Sequence, residues 1–180
     1  TAFGNTVSTV MAVGPMGLAG FGTVTNPVTG GNSGSFNITA NTVAPEGGAV
    51  ISVTSSNPAV LQVPATVLLP FGGGTSVTPT YTTSPVSVAT NVTITASLNG
   101  SSISKVVTVR PTDLSSVVVP TEMFPGQTVS GTVNLNGKAP AGGLVVTLSS
   151  SNASIASVPA TVTVLEGQTT AAFSVVTSAT

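Results

Sequence analysis

Cysteine, histidine and tryptophan are absent from this 180-residue sequence, and only seven side chains carry a charge. Without cysteine, the chain can form neither a disulfide nor a thiolate metal site. Without histidine, it lacks the side chain that most often exchanges protons near neutral pH. The four acids are scattered rather than paired: Glu46, Asp113, Glu122 and Glu166. We therefore expect no enzyme activity, no catalytic residue, no metal and no cofactor.

Positive charge is equally sparse, since Lys105, Arg110 and Lys138 are the only cations. Neutralising a phosphate backbone requires several clustered positive groups, so nucleic acid is not an expected partner. The most apolar stretch, residues 11–21, is interrupted by glycine and proline and is too short to span a bilayer. The net charge of −1 gives little repulsion between copies. Such a surface suits either a chain packed into an assembly or a glycan-coated domain.

A tandem repeat organises the chain. Residues 31–85 and 126–180 align at an offset of 95 without a gap, and 19 of the 55 aligned positions are identical. Both copies contain Ala-Pro-X-Gly-Gly, Ser-Ser-Asn and Val-Pro-Ala-Thr-Val in the same order. We therefore predict two similar modules, a first repeat over residues 15–111 and a second repeat over residues 112–180.

Alternation of apolar with small polar residues predicts β-strands throughout, and no window has the recurrence of a helix. The predicted strands lie near 18–25, 34–40, 48–55, 65–69, 75–82, 91–98, 102–109, 114–119, 129–135, 143–150, 160–165 and 169–177. Asn99-Gly100, between two alternating segments, predicts a tight hairpin. Gly72-Gly73-Gly74 faces only Gly167-Gln168, which predicts that the alignment shifts by one residue beyond this turn.

The repeated motifs, with an apolar strand before Ser-Ser-Asn and a glycine turn at the end, resemble the immunoglobulin-like repeats of bacterial and archaeal cell-surface proteins. The resemblance covers about residues 31–110 and 126–180. It implies an all-β fold of two tandem immunoglobulin-like β-sandwich domains at the cell surface or in the extracellular space. It also implies a role as a spacer, stalk, adhesin or surface-layer module.

The two repeats differ at their ends. The first continues through the predicted hairpin of residues 91–109, whereas Thr180 aligns with Pro85, so the second has no counterpart of that hairpin. We therefore expect the second domain to lack its last strands. An open sandwich of this kind exposes part of its core and leaves backbone groups unpaired.

A partial counterpart stands at the other end of the chain. Residues 1–15 align with residues 97–111, so we predict that residues 1–14 form a detached N-terminal strand. The equivalent of residues 86–97 is absent from this alignment. The candidate interface residues of this donor strand are Val7, Val10, Met11 and Val13.

Three explanations remain open for this arrangement. In the first, each copy's N-terminal strand completes the second domain of its neighbour, which builds a head-to-tail extracellular filament or surface array. In the second, the sequence is an excerpt of a long tandem-repeat adhesin or stalk protein whose loops bind a cell-surface glycan or a host protein. In the third, the open end is an artefact of where the sequence was cut. The candidate glycosylation sites are Asn37, Asn91, Asn99 and Asn152, each heading an Asn-X-Ser/Thr triplet.

Overall fold

The computed structural model describes residues 14–179, and all the regular structure in this range is β-strand. The predicted all-β class is therefore confirmed. The strands of the first repeat are β1 (Leu18–Phe21), β2 (Val28–Thr29), β3 (Ser33–Ser35), β4 (Ile38–Ala40), β5 (Ala49–Ser55), β6 (Leu61–Gln62), β7 (Thr66–Leu69), β8 (Ser76–Val77), β9 (Thr80–Thr83), β10 (Thr90–Leu98) and β11 (Ser101–Arg110). Those of the second are β12 (Leu114–Val118), β13 (Thr128–Leu135), β14 (Leu144–Thr147), β15 (Ala156–Ser157), β16 (Thr161–Val164) and β17 (Thr170–Thr177). Within residues 14–179 there is no helix that could cross a membrane.

The first repeat has one continuous core, to which three sheets contribute side chains. A five-stranded sheet has the order β2-β11-β10-β5-β7, and two three-stranded sheets have the orders β1-β4-β8 and β3-β9-β6. Ile51 from the first sheet, Ile38 from the second and Tyr81 from the third are all buried in the same cluster. Along β5 and β10, buried residues alternate with more exposed ones, because successive side chains of a strand point to opposite faces.

The hairpin between β10 and β11 forms at the predicted position. The two strands pair antiparallel from Thr90 opposite Val109 to Leu98 opposite Ser101. Asn99 and Gly100 connect them with φ values of +49° and +81°. Two consecutive positive φ angles are typical of the type I′ turn, which matches the twist of the flanking strands.

The second repeat has fewer strands and a smaller core. A four-stranded sheet has the order β12-β13-β17-β15, and β14 pairs with β16 in a separate two-stranded sheet. The buried residues of this second core are Val133, Leu135, Ala139, Val146, Val164, Phe173 and Val175.

Strand pairing shows that the two repeats share one local topology. In the first, β3 and β4 pair with β9 and β8, placing Ser33 opposite Thr82. In the second, β13 pairs with β17, placing Thr128 opposite Val176. Thr128 lies 95 residues after Ser33, but Val176 lies only 94 after Thr82. The predicted shift of one residue after the glycine turn is therefore confirmed.

The first strands of the two repeats also correspond, at an offset of 96. Leu18 lies opposite Ala40 and Leu114 opposite Leu135, and both pairings are followed by a register irregularity. A counterpart is the residue of the other repeat related by an offset of 96 in the first strand, 95 from there to the glycine turn and 94 beyond that turn. The first repeat thus shows how each segment of the second packs when neighbouring strands are present.

Candidate functional site

One edge of β14 has no partner strand within residues 14–179. Its counterpart β5 pairs with β7 on one side and with β10 on the other. Strand β14 pairs with β16, the counterpart of β7, and with no other described strand. Residues 147–150 correspond to residues 52–55, which are the residues that pair with β10. Only Thr147 of these four lies in β14, and residues 148–150 follow it without strand pairing of their own. We call the backbone of residues 147–151 the free edge of β14. The second repeat therefore presents a row of backbone hydrogen-bonding groups at the place where the first repeat adds a strand.

An open groove of about 330 Å³ lies beside this edge. It extends from the serines of the free edge to the buried side chains of Phe173 and Val175, so it gives access to the second core. The lining residues are Val117, Val119, Met123, Leu148, Ser149, Ser150, Ser151, Ala156, Val158, Phe173 and Val175. The groove is apolar along its length and polar at the serine edge, which suits an extended peptide with apolar side chains on one face.

The apolar side chains near the groove are more exposed than their counterparts. Leu18 and Phe21 of β1 are half-buried against the first core, because β1 lies against β11. Their counterparts Leu114 and Val117 are 49% and 44% exposed. Leu61 is fully buried, whereas its counterpart Ala156 is half-buried at the groove. Leu114 and Val117 thus lack the cover that β11 gives to Leu18 and Phe21.

The gap at the groove is two strands wide. In the first repeat, β10 lies between β5 and β11, and β11 pairs on its far side with β2 in the parallel sense. Residues 101–109, the counterparts of residues 5–13, therefore do not pair with β5. If residues 5–13 of a donor took the position that corresponds to β11, the position that corresponds to β10, beside β14, would still be empty. A further strand would be needed to fill it.

The predicted donor residues Val7, Val10, Met11 and Val13 lie outside the described residues. Their counterparts in β11 are Ile103, Val106, Val107 and Val109. Val107 and Val109 are buried and Ile103 is half-buried, while Val106 is 48% exposed. By this correspondence, Val7, Met11 and Val13 would face the core that they join, and Val10 would face outward.

The four Asn-X-Ser/Thr asparagines differ in accessibility. Asn91 and Asn152 are exposed, and no described hydrogen bond uses either Nδ2. The Nδ2 of half-buried Asn37 donates to Thr78 Oγ1 at 3.3 Å, and that of Asn99 donates to the Met16 carbonyl at 3.1 Å. Asn91 and Asn152 are thus the better placed of the four to carry a glycan.

Ionisable groups do not converge on the groove. Across residues 14–179, no three His, Cys, Asp or Glu side chains come together as a metal site. The Tyr81 hydroxyl is buried in the first core without a hydrogen-bond partner, and this burial raises the pKa of the hydroxyl. Tyr81 packs at 6.3 Å from Phe36, measured between ring centroids, so it belongs to the aromatic core of the first repeat.

No protein-family model and no curated protein sequence match this chain. The immunoglobulin-like resemblance therefore stays a prediction, and we infer function from the geometry of the second repeat.

Proposed function

We propose that this chain is a structural subunit of an extracellular filament or surface array, in which added β-strands complete the second core. The free edge of β14 beside an apolar groove is the observation that carries this proposal. Strand addition satisfies such an edge through main-chain hydrogen bonds, while alternate side chains of the added strand fill the groove.

The apolar surface around the groove favours an added strand energetically. Val117 and Val119 line the groove and are both 44% exposed. Full burial of one such side chain contributes about 1.5–3 kcal/mol, so covering the exposed part of both contributes on the order of 2 kcal/mol. Each main-chain hydrogen bond adds about 0.5–1.5 kcal/mol. These gains act against the entropy of ordering the added strand.

The proposed donor is residues 1–14 of a second copy. Ile103, Val107 and Val109 are the residues of β11 that join the first core, and the aligned residues Val7, Met11 and Val13 are apolar as well. In the β11 position, Val13 and Gly14 would run parallel to residues 123–124, as Val109 and Arg110 run parallel to β2. The β10 position would take a second strand.

The width of the gap favours a second candidate function. The chain would be part of a longer tandem-repeat surface protein, an adhesin or stalk, and one hairpin of the same polypeptide would supply both strands. A hairpin fills a gap of two strands without a separate donor for each position. Binding of a glycan or host protein by loops belongs to this alternative.

Peptide addition separates the two candidates. If strands are donated between copies, the full chain forms extended polymers in negative-stain micrographs, and deletion of residues 1–14 abolishes them. A synthetic peptide of residues 1–14 then binds the shortened chain, while a scrambled peptide of the same composition does not. If the alternative holds, the full chain stays dispersed, and a hairpin peptide of residues 86–110 binds where the 1–14 peptide fails. Unchanged polymers after the deletion would refute donation by this segment.

A further inference from the structure

The second repeat contacts the first at Thr29, Gly30 and Gly31, which we call the tail surface of the first repeat. The leading loop of the second repeat, residues 136–138, sits on this surface. A Cβ built on buried Gly137 would lie 2.6 Å from Thr29 Cγ2 and 3.0 Å from the Gly30 carbonyl oxygen. The Lys138 Cβ lies 2.9 Å from the position of a Cβ built on Gly31. The joint is thus a close contact that depends on glycine.

The tail surface has a counterpart in the second repeat at residues 124–126. The Thr83 hydroxyl donates to the Asn32 carbonyl at 2.6 Å and lies 3.4 Å from the Thr29 carbonyl. Its counterpart Thr177 donates to the Gln127 and Phe124 carbonyls at 3.1 and 2.7 Å. Because the same threonine holds the same turn, residues 124–126 have the local shape of the tail surface.

The leading loop has a counterpart in the first repeat at residues 41–43. The Asn136 amide donates to the Asp113 carbonyl at 3.0 Å, and the Asp113 amide donates to Asn136 Oδ1 at 2.9 Å. Asn41 and Gly17 form the same pair of hydrogen bonds, both at 3.0 Å. Both loops therefore begin from the same two-bond clamp to the start of their repeat.

These two counterparts are exposed and each includes an apolar side chain, although the surfaces they correspond to are in contact. Val43, the counterpart of Lys138, is 56% exposed. Phe124 and Ile155 are 70% and 64% exposed and line an open groove of about 290 Å³ together with Met123. A large exposed aromatic side chain at such a position is typical of an interaction surface.

We propose that residues 124–126 and Ile155 bind the leading loop, residues 41–43, of a second copy, and so repeat between chains the joint seen within one chain. The inference rests on the proposed assembly function and gives it a second contact. Residues 1–14 lead into Pro15 as β11 leads into Pro111. A donor strand in the β11 position of one copy therefore carries its own leading loop onto residues 124–126.

The contact between chains differs from the internal joint in three ways. Thr42 stands where Gly137 makes the close contact, so two chains must lie farther apart there than the two repeats do. Val43 and Phe124 replace Lys138 and Thr29, so the contact between chains is more apolar. The Gly30 amide donates to the Arg110 carbonyl at 2.9 Å. Pro125, its counterpart, has no amide hydrogen, so that hydrogen bond does not form.

Cross-linking between copies tests this joint, because the natural chain has no cysteine. One full-length copy carries Thr42→Cys and another carries Phe124→Cys, at the counterparts of Gly137 and Thr29. After mixing and oxidation, we expect a disulfide-linked dimer on a non-reducing gel. A copy with Val50→Cys is the matched control for Thr42→Cys, because Val50 is 59% exposed on β5 and belongs to neither surface. The control should give no dimer with Phe124→Cys.

Substitution of Val43 on the Thr42→Cys copy adds a second measurement. Val43→Asp should abolish the cross-link, because it places a carboxylate against the groove that Met123 and Ile155 line on the other copy. Val43→Lys should retain it, because Lys138 occupies this position in the internal joint.

The outcomes distinguish the joint from strand donation. Polymers that form without the specific cross-link would overturn the joint and leave strand donation standing. A cross-link that persists after deletion of residues 1–14 would support the joint and remove the need for a donor strand. A dispersed chain that gives no cross-link would overturn both.

Discussion

Replacing Ser149 with proline tests the free edge of β14 against an internal control. Residues 148–150 follow β14 and correspond to residues 53–55 of β5. The Leu148 amide donates to the Ala160 carbonyl at 2.9 Å, on the β16 side, as the Val53 amide donates to the Ala65 carbonyl. Successive amides of an extended backbone point to opposite sides. The Ser149 amide therefore points toward the free edge. Proline removes that amide hydrogen and blocks an incoming strand, but it removes no hydrogen bond that the described residues make.

The matched control is Thr54→Pro, at the counterpart position in the first repeat. The Val53 amide donates to the Ala65 carbonyl at 2.9 Å, so the Thr54 amide points toward β10, where Thr54 lies opposite Thr95. Proline at Thr54 breaks a bond inside a five-stranded sheet. It should lower the free energy of unfolding by about 2–4 kcal/mol. Ser149→Pro should change it by less than about 1 kcal/mol.

Two measurements complete this test. Denaturant unfolding of the dilute chain gives the stability change of each variant, and sedimentation velocity of the concentrated chain gives its assembly. We expect Ser149→Pro to remain as stable as the parent chain and to lose its polymers. If Ser149→Pro destabilises the dilute chain as much as Thr54→Pro does, the β14 edge is already occupied and the reasoning is wrong. Polymers that persist in this variant would contradict it equally.

Three further predictions concern the two cores and the loop clamp at Asn136. Tyr81→Phe should raise the free energy of unfolding by about 1 kcal/mol at neutral pH, because it removes a buried hydroxyl without a partner. Burial raises the pKa of Tyr81, so the hydroxyl loses its proton at lower pH in the unfolded chain than in the folded chain. The free energy of unfolding of the parent chain should therefore fall as the pH rises above about 10, and that of Tyr81→Phe should fall less. Equal slopes of unfolding free energy against pH would count against this. Gly131→Ala should lower the free energy of unfolding in denaturant by about 1–3 kcal/mol, because its Cβ would lie 2.4 Å from the Phe173 ring. Gly20→Ala is the control, because a Cβ at that position has no neighbour within 4 Å. Asn136→Ala should cost about 1–2 kcal/mol in thermal unfolding, because it removes the side-chain bond of the loop clamp, and an unchanged midpoint would show that the clamp adds nothing.

The sequence predicts most of the strands because alternation is a local property. The long strands β5, β10, β11, β13 and β17 lie within about two residues of their predicted ranges. The two-residue strands β2, β6 and β15 escape prediction, since a segment of that length has no period to detect.

Two predicted strands are each divided in the structure. The expected strand near 75–82 is split into β8 and β9, and its partner near 34–40 is split into β3 and β4. Pro79 lies at the break, and it has no amide hydrogen to continue the ladder. Its counterpart Phe173 has one, and β13 and β17 run unbroken.

The same position shows why residue identity alone predicts the cores poorly. Phe36 faces Pro79 in the first repeat, whereas Gly131 faces Phe173 in the second. The aromatic side chain lies on the first strand of the pair in the first repeat (Phe36) and on the second strand in the second repeat (Phe173). The small residue Gly131 lies opposite Phe173. Alignment detects two unrelated substitutions here, but packing across the strand pair explains them together.

The candidate site was predictable in part. Within the 180 residues, the alignment finds no counterpart of the hairpin for the second repeat, which predicts an unpaired edge in the part described. It does not show that β10 lies between β5 and β11, because strand order depends on contacts distant in sequence. The joint surfaces were also missed, since Phe124 and Val43 occupy turns without a repeated motif, and only the contact at Gly137 shows what their counterparts do.

Amide hydrogen exchange at Ser149 and Ser151 tests the central claim most directly, because both amides are expected to point toward the free edge of β14. The account predicts fast exchange in the dilute, dispersed chain and strong protection in the assembled state, with the β16-facing amide of Leu148 protected in both. Protection of Ser149 and Ser151 in the dispersed chain, or fast exchange at both in the assembled state, would contradict it.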